Sequence, residues 1–146
     1  MKITINSDTK AEELEIAITC SQLTPEIDRI IAMLRMLDLQ LTGQKDGETF
    51  ILRSERVLYI DTVDKKTFIY TSDDVYETSL KLYELEEQLL NVGFFRANKS
   101  CIINFRHIVS LKSELDRKVL VTMRNGEKLI VSRQYAQQLK EKLEVR

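Results

Sequence analysis

Residues Phe94–Asn104, FFRANKSCIIN, decide how the chain is read. Arg96, Asn98 and Lys99 stand between an aromatic pair and the apolar run Cys101-Ile102-Ile103. Two apolar segments broken by a few polar residues predict strand, tight bend, strand, because charged side chains do not follow their neighbours into a core. The bend is then either an ordinary solvated turn or a set of basic and amide groups held out to something anionic. The stretch by itself leaves both open.

The same rhythm extends in both directions. Upstream, Phe50–Leu52, Val57–Asp61, Lys66–Thr71 and Val75–Thr78 alternate with period two and predict strands, the last after a turn at Ser72-Asp73-Asp74. Ser79 is the expected cap of a helix carrying Leu82, Leu85 and Leu89, ending near Asn91 and Gly93. Downstream come Ile108–Leu111, then Lys118–Met123 and Lys128–Val131 joined by the hairpin signal Asn125-Gly126. Ser132 caps a closing helix with Tyr135, Ala136, Leu139 and Leu143 on one side.

Ahead of these lies a different segment. Lys2–Asn6 and Glu13–Thr19 alternate and predict short strands. Thr24-Pro25 opens a helix to about Asp38, with Ile27, Ile30, Ile31, Leu34 and Leu37 on one stripe and Ala32 and Met36 off it. Thr42–Glu48 reads as a polar link. The expected architecture is mainly β with interspersed α: an antiparallel β domain over residues 45–146, preceded by a short ββα extension over residues 1–44.

Composition is that of an ordinary folded chain, with 43% apolar and 31% charged residues among 146. The opening MKITINSDTK has no apolar signal core, and no apolar run approaches a membrane span, so a cytoplasmic location is expected. Cys20 and Cys101 match no metal-ligand spacing and are expected as free thiols. Net charge is −1, yet residues 96–146 hold twelve Lys and Arg against five Asp and Glu, while the first 95 residues carry −8. Such polarity suits an anionic partner, although charges scattered over a solvated surface produce it equally well.

No catalytic constellation is visible, and the chain is not read as an enzyme. His107 follows Arg106 with no cysteine or carboxylate at ligand spacing, and it is read as structural or solvated. The four glycines stand apart, without a phosphate loop. Asp73-Asp74 and Glu86-Glu87 are read as a turn and a helix face. No cofactor and no small-molecule substrate are expected.

The requirements of duplex recognition are met more nearly. Phosphates are held by Lys, Arg, hydroxyls and backbone amides; base edges need Arg, Lys, Asn or Gln that protrude into a groove. Three junctions combine these types: Asp64-Lys65-Lys66-Thr67, Arg96–Ser100, and Ser132-Arg133-Gln134 at a helix start. Whether they share one edge of a sheet is not decided by sequence.

The runs FFRANKSCIINFRHIVSLKS and VTMRNGEKLIVSRQYAQQLKEKL, with ILRSERVLYIDTVDKKTFIYTSD and LYELEEQL upstream, resemble the LytTR-type DNA-binding domain of bacterial transcription regulators over about residues 45–145. The resemblance rests on Phe94, Arg96, Lys99, Ser100, Ile102, Ile103 and Asn104, then Ile108 and Leu111, Asn125-Gly126, and Val131-Ser132-Arg133. It implies that the β domain is elongated and inserts loops into successive major grooves of double-stranded DNA, carried as a homodimer on paired sites that bends the duplex. It further implies base contacts from Lys99, Arg133 and either Lys66 or Thr67, phosphate contacts from Arg96, Ser100 and Gln134, and a structural role for Asn104. A salt bridge within the sheet is the competing reading of Arg96.

Residues 1–44 are too few for the receiver domain that many relatives carry, so they are expected to dimerise or to bind a regulatory protein. The alternative function is a protein-interaction module that titrates a related regulator without touching DNA. Single-stranded RNA binding would need aromatic platforms, and Phe94 and Phe95 offer at most one, because neighbours in a strand face opposite ways.

Overall fold

A computed structural model describes residues 1–37 and 39–144, the side chains of 142–144 excepted, so Asp38 and the side chain of Leu143 lie outside the described residues. Seven strands form one antiparallel sheet: β1 (Gln40–Lys45), β2 (Glu48–Arg53), β3 (Tyr59–Val63), β4 (Lys66–Tyr70), β5 (Val75–Thr78), β6 (Phe94–Asn98) and β7 (Cys101–Asn104). Their order is β2-β1-β5-β4-β3-β7-β6. A second sheet, ordered β10-β9-β8, is built from β8 (Ile108–Ser113), β9 (Val119–Met123) and β10 (Lys128–Val131). The helices are α1 (Pro25–Met36), α2 (Leu82–Leu89) and α3 (Arg133–Glu144). This is the mainly antiparallel β architecture that the alternating pattern predicts.

The opening stretch forms the wall between two cores. In β6 and β7, Phe95 lies opposite Ile103 and Arg96 opposite Ile102. The pleat turns Phe94 and Ile102 to one side, onto Leu82, Leu85 and Leu89 of α2. It turns Phe95 and Ile103 to the other, onto Val121 and Val131 of the second sheet and Ala136 and Leu139 of α3. Each such side chain taken from water contributes about 1.5–3 kcal/mol, which holds the polar bend between them at the surface. Phe94 and Phe95 are both buried, at 1% and 6% exposure, so neither is a stacking platform for a single strand.

Asn104, 1% exposed, takes the structural role expected of it: its Nδ2 donates to the Val57 carbonyl (2.9 Å) and its Oδ1 accepts from the Arg106 amide (3.1 Å). These two bonds close the chain end of β7 against the start of β3.

Four expectations for the N-terminal half need correction. Thr42–Glu48 is no link; it contains most of β1, and Gln40–Arg53 is a fully paired hairpin. Asp46 and Gly47 both have positive φ (51° and 79°), the two-residue turn that Asp-Gly favours. The expected boundary at 44/45 therefore falls inside this hairpin. Gly43 lies where a Cβ would come within 2.5 Å of Tyr76 Cβ, so β1 packs against β5 only with glycine there.

The helix α2 is preceded by Lys81 rather than capped by Ser79. The Lys81 amide donates to Glu84 Oε1 (2.8 Å), while the Ser79 carbonyl accepts from Arg29 of α1 (3.1 Å). The segments Lys2–Asn6 and Glu13–Thr19 form no strands, and their apolar residues are exposed, Ile5 and Leu14 each at 87%. A hairpin with nothing against its apolar face has little to hold it.

Finally, α1 does start at the Thr24 cap, whose side chain accepts from the Ile27 amide (3.4 Å), but it faces the sheet with the other side. Ala32 and Met36 are the buried residues, whereas Ile27, Ile30, Ile31 and Leu34 stay partly exposed and Leu37 is 66% exposed. The small Ala32 permits close approach, and Arg29 fixes the rotation by its ion pair to Glu84 (2.6 Å).

Candidate nucleic-acid interface

The three junctions singled out in the sequence become three turns. Between β3 and β4, Asp64 and Lys65 have positive φ (51° and 67°), a two-residue turn matched to the twist of the strands. Lys65 and Lys66 are exposed there. Thr67 is not: it sits one residue into β4, paired with Thr62 and Thr78, and is 4% exposed. Alternation along the strand sends it inward where Lys66 points out, which corrects the expectation that Thr67 faces a ligand.

Between β6 and β7, Lys99 and Ser100 form the exposed tip. Asn98 braces it, accepting from the Ser100 amide at Oδ1 (2.9 Å). Between β10 and α3, Arg133 and Gln134 are exposed on the first turn of a twelve-residue helix, whose free amides give that end a positive field.

Hydrogen bonds gather the three turns on one edge. The Thr62 amide of β3 donates to the Ser100 carbonyl (2.9 Å), tying the first turn to the second. The Ser132 amide donates to the Ala97 carbonyl (2.8 Å), and Asn98 Nδ2 donates to the Ile130 carbonyl (2.8 Å), tying the second to the third. Lys66, Lys99 and Arg133 thus follow one another along a single rim with the Lys99 turn in the middle. Sequence separations of dozens of residues hide this.

Arg96 is engaged within the fold. Its Nε donates to the Asn98 carbonyl (2.7 Å), one terminal nitrogen to the Lys99 carbonyl (2.6 Å), and the other to Glu86 of α2 (2.8 Å). A planar fork of this kind suits the inner side of a tight turn, where several carbonyls converge.

Arg117, Gln137 and Lys140, which the sequence reading did not single out, join Arg133 and Gln134 around a recess of about 380 Å³ beside the third turn. Lys140 lies seven residues beyond Arg133 on the same helix face, a spacing legible in the sequence. Arg117 arrives from the β8–β9 connection, with positive φ (64°), and only tertiary structure brings it there.

Behind the rim the groups are quiet. Burial pushes the Cys101 thiol up to about 12, so it stays protonated; Cys20 is a second free thiol, exposed. Asp61 is held above the usual carboxylate range by burial, beside the stacked rings of Tyr59 and Tyr70 (4.3 Å). His107 donates from Nε2 to the Glu55 carbonyl (2.6 Å). Among the described residues no three His, Cys, Asp or Glu side chains cluster to hold a metal, and no helix is long and apolar enough to cross a membrane.

Fold and rim together define a class: an antiparallel β domain with exposed basic side chains on three turns along one rim. The chain belongs to the LytTR family, the LytTr DNA-binding domain matching residues 47–144. Over 99% of both chains it is 29% identical to a Staphylococcus aureus (strain MSSA476) protein described as an HTH-type transcriptional regulator. It is 33% identical to the sensory transduction protein LytT of Bacillus cereus over 65% of this chain and 39% of that one. A solved LytTr DNA-binding domain from Bacillus cereus superposes with a TM-score of 0.67 at 27% identity, over 71% of this chain and 95% of that one. In the described residues no two α-helices are consecutive, so the helix-turn-helix in the staphylococcal relative's description has no counterpart in this fold.

Proposed function

We propose that the chain is a transcription regulator that binds double-stranded DNA sequence-specifically, laying its rim of turns along successive major grooves as a dimer on paired sites. The observation that carries this reading is the fixed alignment of three basic turns on one sheet edge, inside a DNA-binding family. Lys99 and Arg133 are assigned to base edges, since both side-chain types reach guanine O6 and N7. Lys66, with Lys65 beside it, is the first-turn contact. Ser100 and Gln134 are assigned to phosphate, and Arg117 and Lys140 extend that contact around the recess. Arg96 acts through the turn it shapes, by holding the Asn98 and Lys99 carbonyls so that Lys99 projects. Residues 1–39 form the extension, and the sheet from Gln40 onward the DNA-binding body.

Binding to duplex should weaken steeply with salt. Each neutralised phosphate adds about −0.9 to the slope of log K against log salt, so a chain making about four such contacts should give a slope near −3.6 per protomer. A titration by fluorescence anisotropy measures this. A slope near zero, or no binding at low salt, overturns the reading and leaves a module that acts only on other proteins.

A further inference from the structure

We propose that residues 1–37 form a dimerisation element that a second copy of this chain completes, with segment Glu13–Thr19 pairing antiparallel to its own twofold mate. The inference deepens the reading of the chain as a dimer on paired sites and rests on that reading for the need of a dimer.

Two unfinished surfaces lie next to each other in sequence. One is the N-terminal segment, where Ile3 and Ile5, then Leu14, Ile16 and Ile18, fall at every second position and are all exposed. A turn between them is already formed, the Ala11 amide donating to the Asp8 carbonyl (3.1 Å) and the Lys10 amide to Asp8 Oδ1 (2.9 Å). The flanking residues have strand periodicity but no ladder, so their backbone groups stand open as a template. The other is α1, which turns Ala32 and Met36 to its own sheet and leaves the larger Ile30–Leu34–Leu37 stripe partly or largely exposed. A strand pair with one apolar face and a helix with one apolar stripe are the two layers of a small core. One copy supplies two strands and one helix, too little to hold itself together. Two copies supply four strands and two helices.

The segment is complementary to itself. With Ile16 on the twofold axis, Leu14 faces Ile18, Glu13 faces Thr19 and Glu15 faces Ala17, so apolar meets apolar and no two carboxylates oppose. Moving the axis to Leu14 sets Glu13 against Glu15. A shift by one residue sends the apolar set to the wrong face. An arrangement that satisfies a twofold this way points to a second copy rather than an unrelated protein.

The test uses the full chain. In sedimentation equilibrium without DNA, the wild type should be a dimer, and Ile16→Asp should weaken association by about a hundredfold, since a carboxylate on the axis meets its own mate. Ile16 is exposed in the single chain, so the variant's thermal transition for the β domain should not move. In a Cys20→Ser background, Ile16→Cys should oxidise readily to a disulfide-linked dimer, because residues on the axis approach within disulfide range, whereas Leu14→Cys should not. A monomeric wild type, an Ile16→Asp dimer as tight as the wild type, or equal cross-linking at both positions overturns the proposal. The DNA reading separates from it: Ile16→Asp should bind a single half-site as the wild type does and lose only the gain from a paired site. If neither protein binds duplex while Ile16→Asp still dissociates the dimer, the DNA reading fails and the dimer element stands.

Discussion

Alanine at both Lys99 and Arg133 should abolish selective DNA binding while leaving the fold untouched. Each good contact to a guanine edge is worth about 1–3 kcal/mol of discrimination, so losing both should reduce preference for the cognate duplex by about thirty-fold to about 25,000-fold. Both side chains are exposed, and the bonds that set the rim run through Asn98, Arg96 and backbone atoms of neighbouring residues. The melting temperature should therefore stay within about 1 °C, surface changes of this kind being nearly neutral. The measurement is competition between cognate and scrambled duplexes at fixed salt. Residual binding should persist, equal for both, through Lys66 and the recess. Unchanged selectivity in the double variant removes the base-contact assignment.

A large effect on stability should come from Asn104→Ala. Asn104 satisfies the Val57 carbonyl and the Arg106 amide inside the sheet at 1% exposure. Alanine leaves both without that partner, at about 1–3 kcal/mol for a buried group, and opens a small void besides. A loss of about 3 kcal/mol, or about 10 °C for a domain of this size, is expected in thermal denaturation. Aspartate should not rescue, because it keeps the acceptor for Arg106 but cannot donate to Val57 and buries a charge. A loss under about 0.5 kcal/mol contradicts the role.

These two residues mark what the sequence discloses. Asn104 and Lys99 lie in the same eleven-residue stretch, and the apolar residues around them dictate which turns in and which turns out. Period two places β3 to β10 within a residue or two, because nearly every strand there has one face against a core. It fails for Lys2–Asn6 and Glu13–Thr19, whose apolar faces have nothing in one chain to lie on. The Asp46-Gly47 hairpin is legible in the Asp-Gly pair but obscured by the polar β1 sequence, where Thr42 is buried between two strands while Gln44 stays exposed. Helical periodicity located α1 but not its facing, which an ion pair to α2 and one small residue decide.

In the site, residue type and junction pointed to Lys66, Lys99 and Arg133. The inward turn of Thr67, the use of Arg96 inside its own loop and the arrival of Arg117 depend on pleat and tertiary contact. Sequence separation conceals such contacts.

Selection of bound duplexes from a random-sequence pool, using the full chain, tests the central claim most directly. The account predicts enrichment of a paired motif, two similar half-sites about one helical turn or a multiple apart, containing guanine at the positions lost on Lys99→Ala and Arg133→Ala. A pool that remains random after several rounds, or that enriches single strands instead, contradicts it.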